Sequence, residues 1–206
     1  RVGNSANAPG FLTITNGGKV SNVAGFIGHG VNAPGTVTVD GPGSTWTSTD
    51  ELHIGEAGTG TLVIRNGGTV NNTAARVGHL AGSSGTVIVT GAGSSWNGVG
   101  AFAPFVIGNA GTGSLVIADG ATVTNNNGII AGIALSVGTV TVTGAGSTWT
   151  NNLGLTVGNA GMGTLTIENG GRVTNVNNAL IGGFSGSQGP ITLTRPCSTR
   201  SRGPAP

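Results

Sequence analysis

One spacing constrains this chain more than any other feature. An apolar-x-apolar pair returns at Leu12/Ile14, Val37/Val39, Leu62/Ile64, Val87/Val89, Leu115/Ile117, Val140/Val142, Leu165/Ile167 and Ile191/Leu193, at intervals of 25, 25, 25, 28, 25, 25 and 26 residues. A second signal, an apolar residue followed by Gly, returns once per unit at Ile27, Ile54, Val77, Ile107, Val157 and Ile181, with Ile130 in the remaining slot. Segments this short cannot bury an apolar face alone, and no helical 3.6 spacing accompanies them, so the units must cover one another by stacking. The period predicts an all-β fold: a single-stranded right-handed parallel β-helix, or β-solenoid, of about eight coils of about 25 residues. The hand follows the general preference of parallel crossovers. With about 4.8 Å between stacked strands, the body is expected to be a rod of about 35–40 Å.

Two kinds of coil alternate. One reads "TLVIRNGGTV" from Thr61 to Val70, and its corner falls at Asn16-Gly17, Asn66-Gly67, Asp119-Gly120 and Asn169-Gly170, residues that tolerate a left-handed backbone. The other reads "GTVTVDGPGSTW" from Gly35 to Trp46, with a corner one residue longer. Overlaying the two puts Trp46, Trp96 and Trp149 in the slot of Val20, Val70, Val123 and Val173. An aromatic platform for sugar rings is one reading of these tryptophans. A slot shared with Val favours the other, an interior column of alternating large and small side chains.

Composition narrows the function. Only 7% of the residues are charged, and Gly contributes 42 of 206. The overall charge of +2 invites a nucleic-acid reading, but three of the eight basic residues, Arg195, Arg200 and Arg202, crowd the last twelve positions. Residues 1–194 hold five basic groups against six acidic ones, a net of −1, so no basic stripe is available for phosphates and no nucleic-acid partner is expected. No apolar run approaches the ~18 residues of a membrane helix, so membrane insertion of this segment is not expected.

The alternation of "GTGTLVIRNGGTV" with "GTVTVTGAGSTW" and a following "LTVG" resembles the repeat shared by autotransporter (type V secretion) passengers and PEP-CTERM-sorted bacterial proteins, over about residues 2–194. The resemblance implies an extracellular or bacterial cell-surface β-helical stalk or adhesin-like segment. It brings no catalytic motif. The transport barrel, sorting signal and signal peptide of such proteins are missing from the sequence.

Residues able to do chemistry are few. The densest polar cluster is "TDELHIGE", in which Glu51 and His53 would share one strand face and an acid–imidazole pair is sterically conceivable. The matching slots elsewhere hold residues such as Val106 and Thr156, and no Ser nucleophile stands beside the pair, so a solvated strand end is the favoured reading. His29 and His79 occupy equivalent positions two coils apart, roughly 10 Å, too far to share a metal, and read as surface histidines. No metal, cofactor or catalytic residue is expected. β-Helical polysaccharide lyases and hydrolases need clustered carboxylates or basic groups at a cleft, and six acids scattered along the chain make that class a poor fit.

Two binding features remain. Outward positions of the first strand carry Thr13, Thr15, Thr36, Thr38, Thr139, Thr141, Thr143, Thr164, Thr166, Thr192 and Thr194, a face that could order water or contact polysaccharide, with Thr38, Thr141 and Thr166 as its representatives. Val63, Arg65, Ile88, Val116, Ala118 and Glu168 interrupt its ranks, and outward Thr is also what strand propensity favours. Separately, "NGVGAFAPFVIG" adds three residues after Trp96; Phe105 is expected to fill the strand slot of Leu52, leaving Phe102 as a candidate contact on a projecting loop.

Both ends read as cuts through a longer array, and "RPCSTRSRGPAP", with the only Cys, stands where another Trp-type coil is due, as after a reading-frame change or cloning scar. Open ends expose unpaired backbone groups and invite end-to-end self-association. The sequence therefore points to a non-enzymatic structural or adhesin-like β-helix, with a surface polysaccharide or a host or abiotic surface as its partner, and with ice or polysaccharide binding through the Thr face as the alternative.

Overall fold

Alternating apolar and β-branched residues, broken every four to seven positions by Gly, Asn or Asp, leave the backbone little choice but short strands and tight corners. In the computed structural model, which describes residues 1–98, 100, 104–184 and 186–194, each coil contributes three such strands. The second coil is representative, with Pro34–Asp40, Thr45–Ser48 and Leu52–Ile54. No helix occurs among the described residues. The strands assemble into three parallel sheets, one of eight strands and two of seven, so the chain makes about seven full turns of a β-solenoid and starts one more. Phe102 and the tail from Arg195 onward, with Cys197, lie outside the described residues.

Register follows the sequence period residue for residue. Leu12 pairs with Val37, Val37 with Leu62, and the series runs on through Val87, Leu115, Val140 and Leu165 to Ile191. The 28-residue interval costs the first sheet nothing, because the strand at Thr112–Ala118 rejoins the ladder in phase. Phe105 is fully buried, as its slot predicts, and its ring lies 4.4 Å from that of Trp96, centroid to centroid.

The second sheet resolves the question of the tryptophans. Trp46, Trp96 and Trp149 alternate with Val20, Val70, Val123 and Val173 in one interior column, and none of the three indoles is more than 3% exposed. A buried indole N–H needs an acceptor. Each finds the side-chain carbonyl of an Asn in the preceding coil: Trp46 donates to Asn22 (2.5 Å), Trp96 to Asn72 (2.7 Å) and Trp149 to Asn125 (2.6 Å). The superrepeat of two coils is thus a chemical unit, in which a Val-type coil supplies the acceptor that a Trp-type coil requires.

The corners explain the remaining recurrent residues. Ser44, Ser94 and Ser147, all fully buried, accept from the backbone N–H of Gly17, Gly67 and Gly120 at the corner of the coil below. Ser44 and Ser94 also donate back to the carbonyls of Asp40 and Thr90, so one hydroxyl ties two successive corners together. At another corner two strands approach so closely that a Cβ on Gly85 would lie 2.1 Å from the carbonyl oxygen of Ile54, which no side chain can occupy.

Leu135 departs from these rules. It occupies a left-handed turn position (φ 68°) that Asn32 and Gly82 fill in other coils, and it is 96% exposed. Since a left-handed backbone costs a bulky residue about 1–2 kcal/mol and Leu135 buries nothing in return, Leu135→Asn is expected to raise stability by about 1 kcal/mol, read as a higher urea midpoint. Asn72→Ala should lower it by about 2 kcal/mol, because the Trp96 indole then stays buried without an acceptor.

Candidate functional site

All three histidines of the chain fall on one patch of the third sheet, together with two of its six carboxylates. Stacking produces this. Phe26, His53 and Arg76 are consecutive rungs of the ladder formed by Gly25–Ile27, Leu52–Ile54 and Ala75–Val77, and Ile27, Ile54 and Val77 turn inward beside them. Two residues further along, after the Gly that turns each corner, come His29, Glu56 and His79 in three successive coils. His29 and His79 are indeed two coils apart, but the intervening coil supplies Glu56, and His53 reaches it from the neighbouring column.

The cluster is not a solvated strand end. His53 is 8% exposed, and its ring is enclosed by Phe26 (5.1 Å between centroids) and His79 (4.4 Å). Its Nε2 lies 2.7 Å from Oε2 of Glu51, and its Nδ1 contacts Oε2 of Glu56. Both contacts are hydrogen bonds when the ring donates from both nitrogens. Glu51 in turn receives the Arg76 guanidinium at 3.1 Å and 3.2 Å, so a chain Arg76–Glu51–His53–Glu56 crosses from the third coil to the second. This corrects the expectation for Glu51 and His53: the two share a face, but as members of a packed ionic network.

His79 also departs from the surface histidine expected, since only 18% of its side chain is exposed. Its Nε2 is 4.0 Å from Oε2 of Glu56, and Asn109 of the next coil donates to its backbone carbonyl at 3.0 Å and approaches its Nδ1 at 3.3 Å. Burial holds the His79 imidazole below its ordinary pKa, against the opposing pull of Glu56. Burial, followed by the Arg1 charge, does the same to His29, whose Nδ1 is buried without a hydrogen-bond partner. Sequence reasoning missed the cluster because it weighed the histidines against each other and the strand pair by itself. Laying "IGHG", "IGEA" and "VGHL" over one another would have shown the shared column.

The Thr face is built as the alternation predicts, but its ranks differ in quality. Thr38, Thr141 and Thr166 share an outward column that Val63, Ile88 and Val116 interrupt, so Thr38 stands four rungs from Thr141 while Thr141 and Thr166 adjoin. The column beside it is unbroken: Thr36, Thr61, Thr86, Ser114, Thr139 and Thr164 present a hydroxyl on six successive coils. In a third column Arg65 pairs with Asp40 at 2.8 Å, and Glu168 stands beside Thr143. Comparison of the chain with protein-family models, with curated proteins and with solved structures found no match.

The network makes a prediction independent of any ligand. Removing the imidazole between two carboxylates leaves them facing each other, and breaking such a pair costs most where burial is deepest. With Glu51 and Glu56 still partly exposed, His53→Ala is expected to cost about 2 kcal/mol in chemical denaturation. His53→Val should cost less, because Val106 fills the same column two coils later.

Proposed function

We propose that this chain is a non-enzymatic structural segment of an extracellular or bacterial cell-surface protein, adhesin-like in role, whose repetition provides length and rigidity. The observation that carries the reading is the unbroken register of the three parallel sheets, in which nearly every inward residue serves the stack. The near-neutral body and the resemblance of its repeat to autotransporter passengers and PEP-CTERM-sorted proteins support the same view. A rod of this kind makes contact through its outward rows of Thr and Asn, which suit the hydroxyl-rich surface of a polysaccharide.

The unbroken hydroxyl rank from Thr36 to Thr164 favours a second reading, ice binding, in which a flat array orders water. Arg65 and Glu168 two residues beyond the partly apolar middle column argue against it. Purified protein is expected to bind immobilised polysaccharide or a surface and to show no thermal hysteresis. Hysteresis abolished by Thr86→Tyr or Thr141→Tyr in a folded protein would reverse the order of the two readings. Replacing Glu51 and His53 together by Ala is expected to leave the profile across a hydrolase panel unchanged; loss of a robust activity with folding intact would overturn the non-enzymatic reading.

A further inference from the structure

We propose that His53, Glu56 and His79 form a binding site for one divalent transition-metal ion of the zinc type, with Glu51 as the group that orients His53. One potential ligand atom from each of the three residues falls within 4.8 Å of the others. Two imidazoles and one carboxylate are a donor set that zinc takes with a fourth position left to water. Magnesium and calcium, which prefer six or more oxygens, are poorly served by it.

The geometry assigns the atoms. Nε2 of His53 is committed to Glu51 at 2.7 Å, which leaves Nδ1 facing Glu56 and available to a metal. A carboxylate that accepts from the far nitrogen of a metal-bound imidazole fixes its tautomer and increases its basicity. Glu51 is placed for that task and is itself held by Arg76. Oε2 of Glu56 lies between Nδ1 of His53 and Nε2 of His79, bonded to the first and 4.0 Å from the second. In a tetrahedral site with bonds of about 2.0–2.1 Å, ligand atoms sit about 3.4 Å apart. His79 must therefore close on Glu56 by about 0.6 Å, and Glu56 must part from His53 by more than that, movements within the reach of side-chain rotation. The ion displaces the proton between His53 and Glu56, which leaves to solvent. Nδ1 of His79 then carries a proton, and the Asn109 amide nitrogen draws back from the ring while keeping its hydrogen bond to the His79 carbonyl. His29 lies outside this set of three ligands.

The proposal goes beyond the scaffold role and stands apart from it, since a rod can serve as one with or without an ion. The stack also supplies variants that the fold already accepts. Asn109 and Asn159 occupy the column of His79 in later coils, and Val106 and Thr156 occupy that of His53. The chelator-treated chain is to be titrated with Zn²⁺ by calorimetry and with Co²⁺ by visible absorption, with Mg²⁺ and Ca²⁺ as controls. The expected result is one Zn²⁺ per chain at about micromolar affinity or tighter, proton release, and the intense visible bands of four-coordinate Co²⁺. His79→Asn and Glu56→Gln should each weaken Zn²⁺ by at least about tenfold while leaving the urea midpoint of the metal-free protein close to that of the wild type. Glu51→Gln should weaken it about 10–100-fold while keeping the four-coordinate Co²⁺ spectrum, as expected of a positioning residue. No binding at about 100 µM Zn²⁺, or binding unchanged in His79→Asn and Glu56→Gln, would overturn the assignment.

Discussion

In-register parallel stacking is the constraint on which every other feature rests. A coil of about 25 residues has no second layer of its own, so each inward side chain is buried by the same slot of the coils above and below. The requirement acts on each position as a column. A slot must suit its two neighbours at once, which is why Trp alternates with Val, and why the polar demand that each Trp brings, its indole N–H, is met by an Asn one coil away. The corner serines obey the same logic, since each hydroxyl completes a turn that belongs to a different coil.

That constraint also explains how a chain with so few charges assembles a dense polar site. Outward columns are less constrained by packing than inward ones, so they accept more of what the individual coils supply, and a single substitution per coil can accumulate into a cluster. His53, Glu56 and His79 come from two adjacent coils and two neighbouring columns, while Phe26 closes the cluster from the coil before. In the later coils the corresponding slots hold Val106, Asn109, Thr156 and Asn159, and the network ends. The fold is thus a uniform frame in which chemistry is local, confined to a few rungs of one sheet.

Much of the fold was legible because a repeat reports its own register. The pairs at Leu12, Val37 and Leu62 could be laid on one another without knowing their geometry, and doing so fixed the interior place of Trp96 and Phe105. The interrupted column of Thr38, Thr141 and Thr166 was legible for the same reason, and the structure adds a continuous one beside it through Thr61, Thr86 and Ser114. The candidate site was legible only in fragments. Glu51 and His53 were visible as a strand pair, but their burial was not, because the groups that cover them, Phe26, Arg76 and His79, lie about 25 residues away on either side.

By itself, the sequence determined that the chain is a stack of short parallel strands, where the coils change type, and which apolar residues face inward, since period and alternation are properties of order along the chain. The tertiary structure alone decided which polar side chains meet, at what distance and how far from water. Those quantities depend on rotamers and on how the neighbouring columns of adjacent coils lean toward one another, and no local pattern encodes them. Glu56 between His53 and His79 is the clearest instance: three ordinary residues in sequence, whose polar atoms the stacking of two coils brings within 4.8 Å of one another.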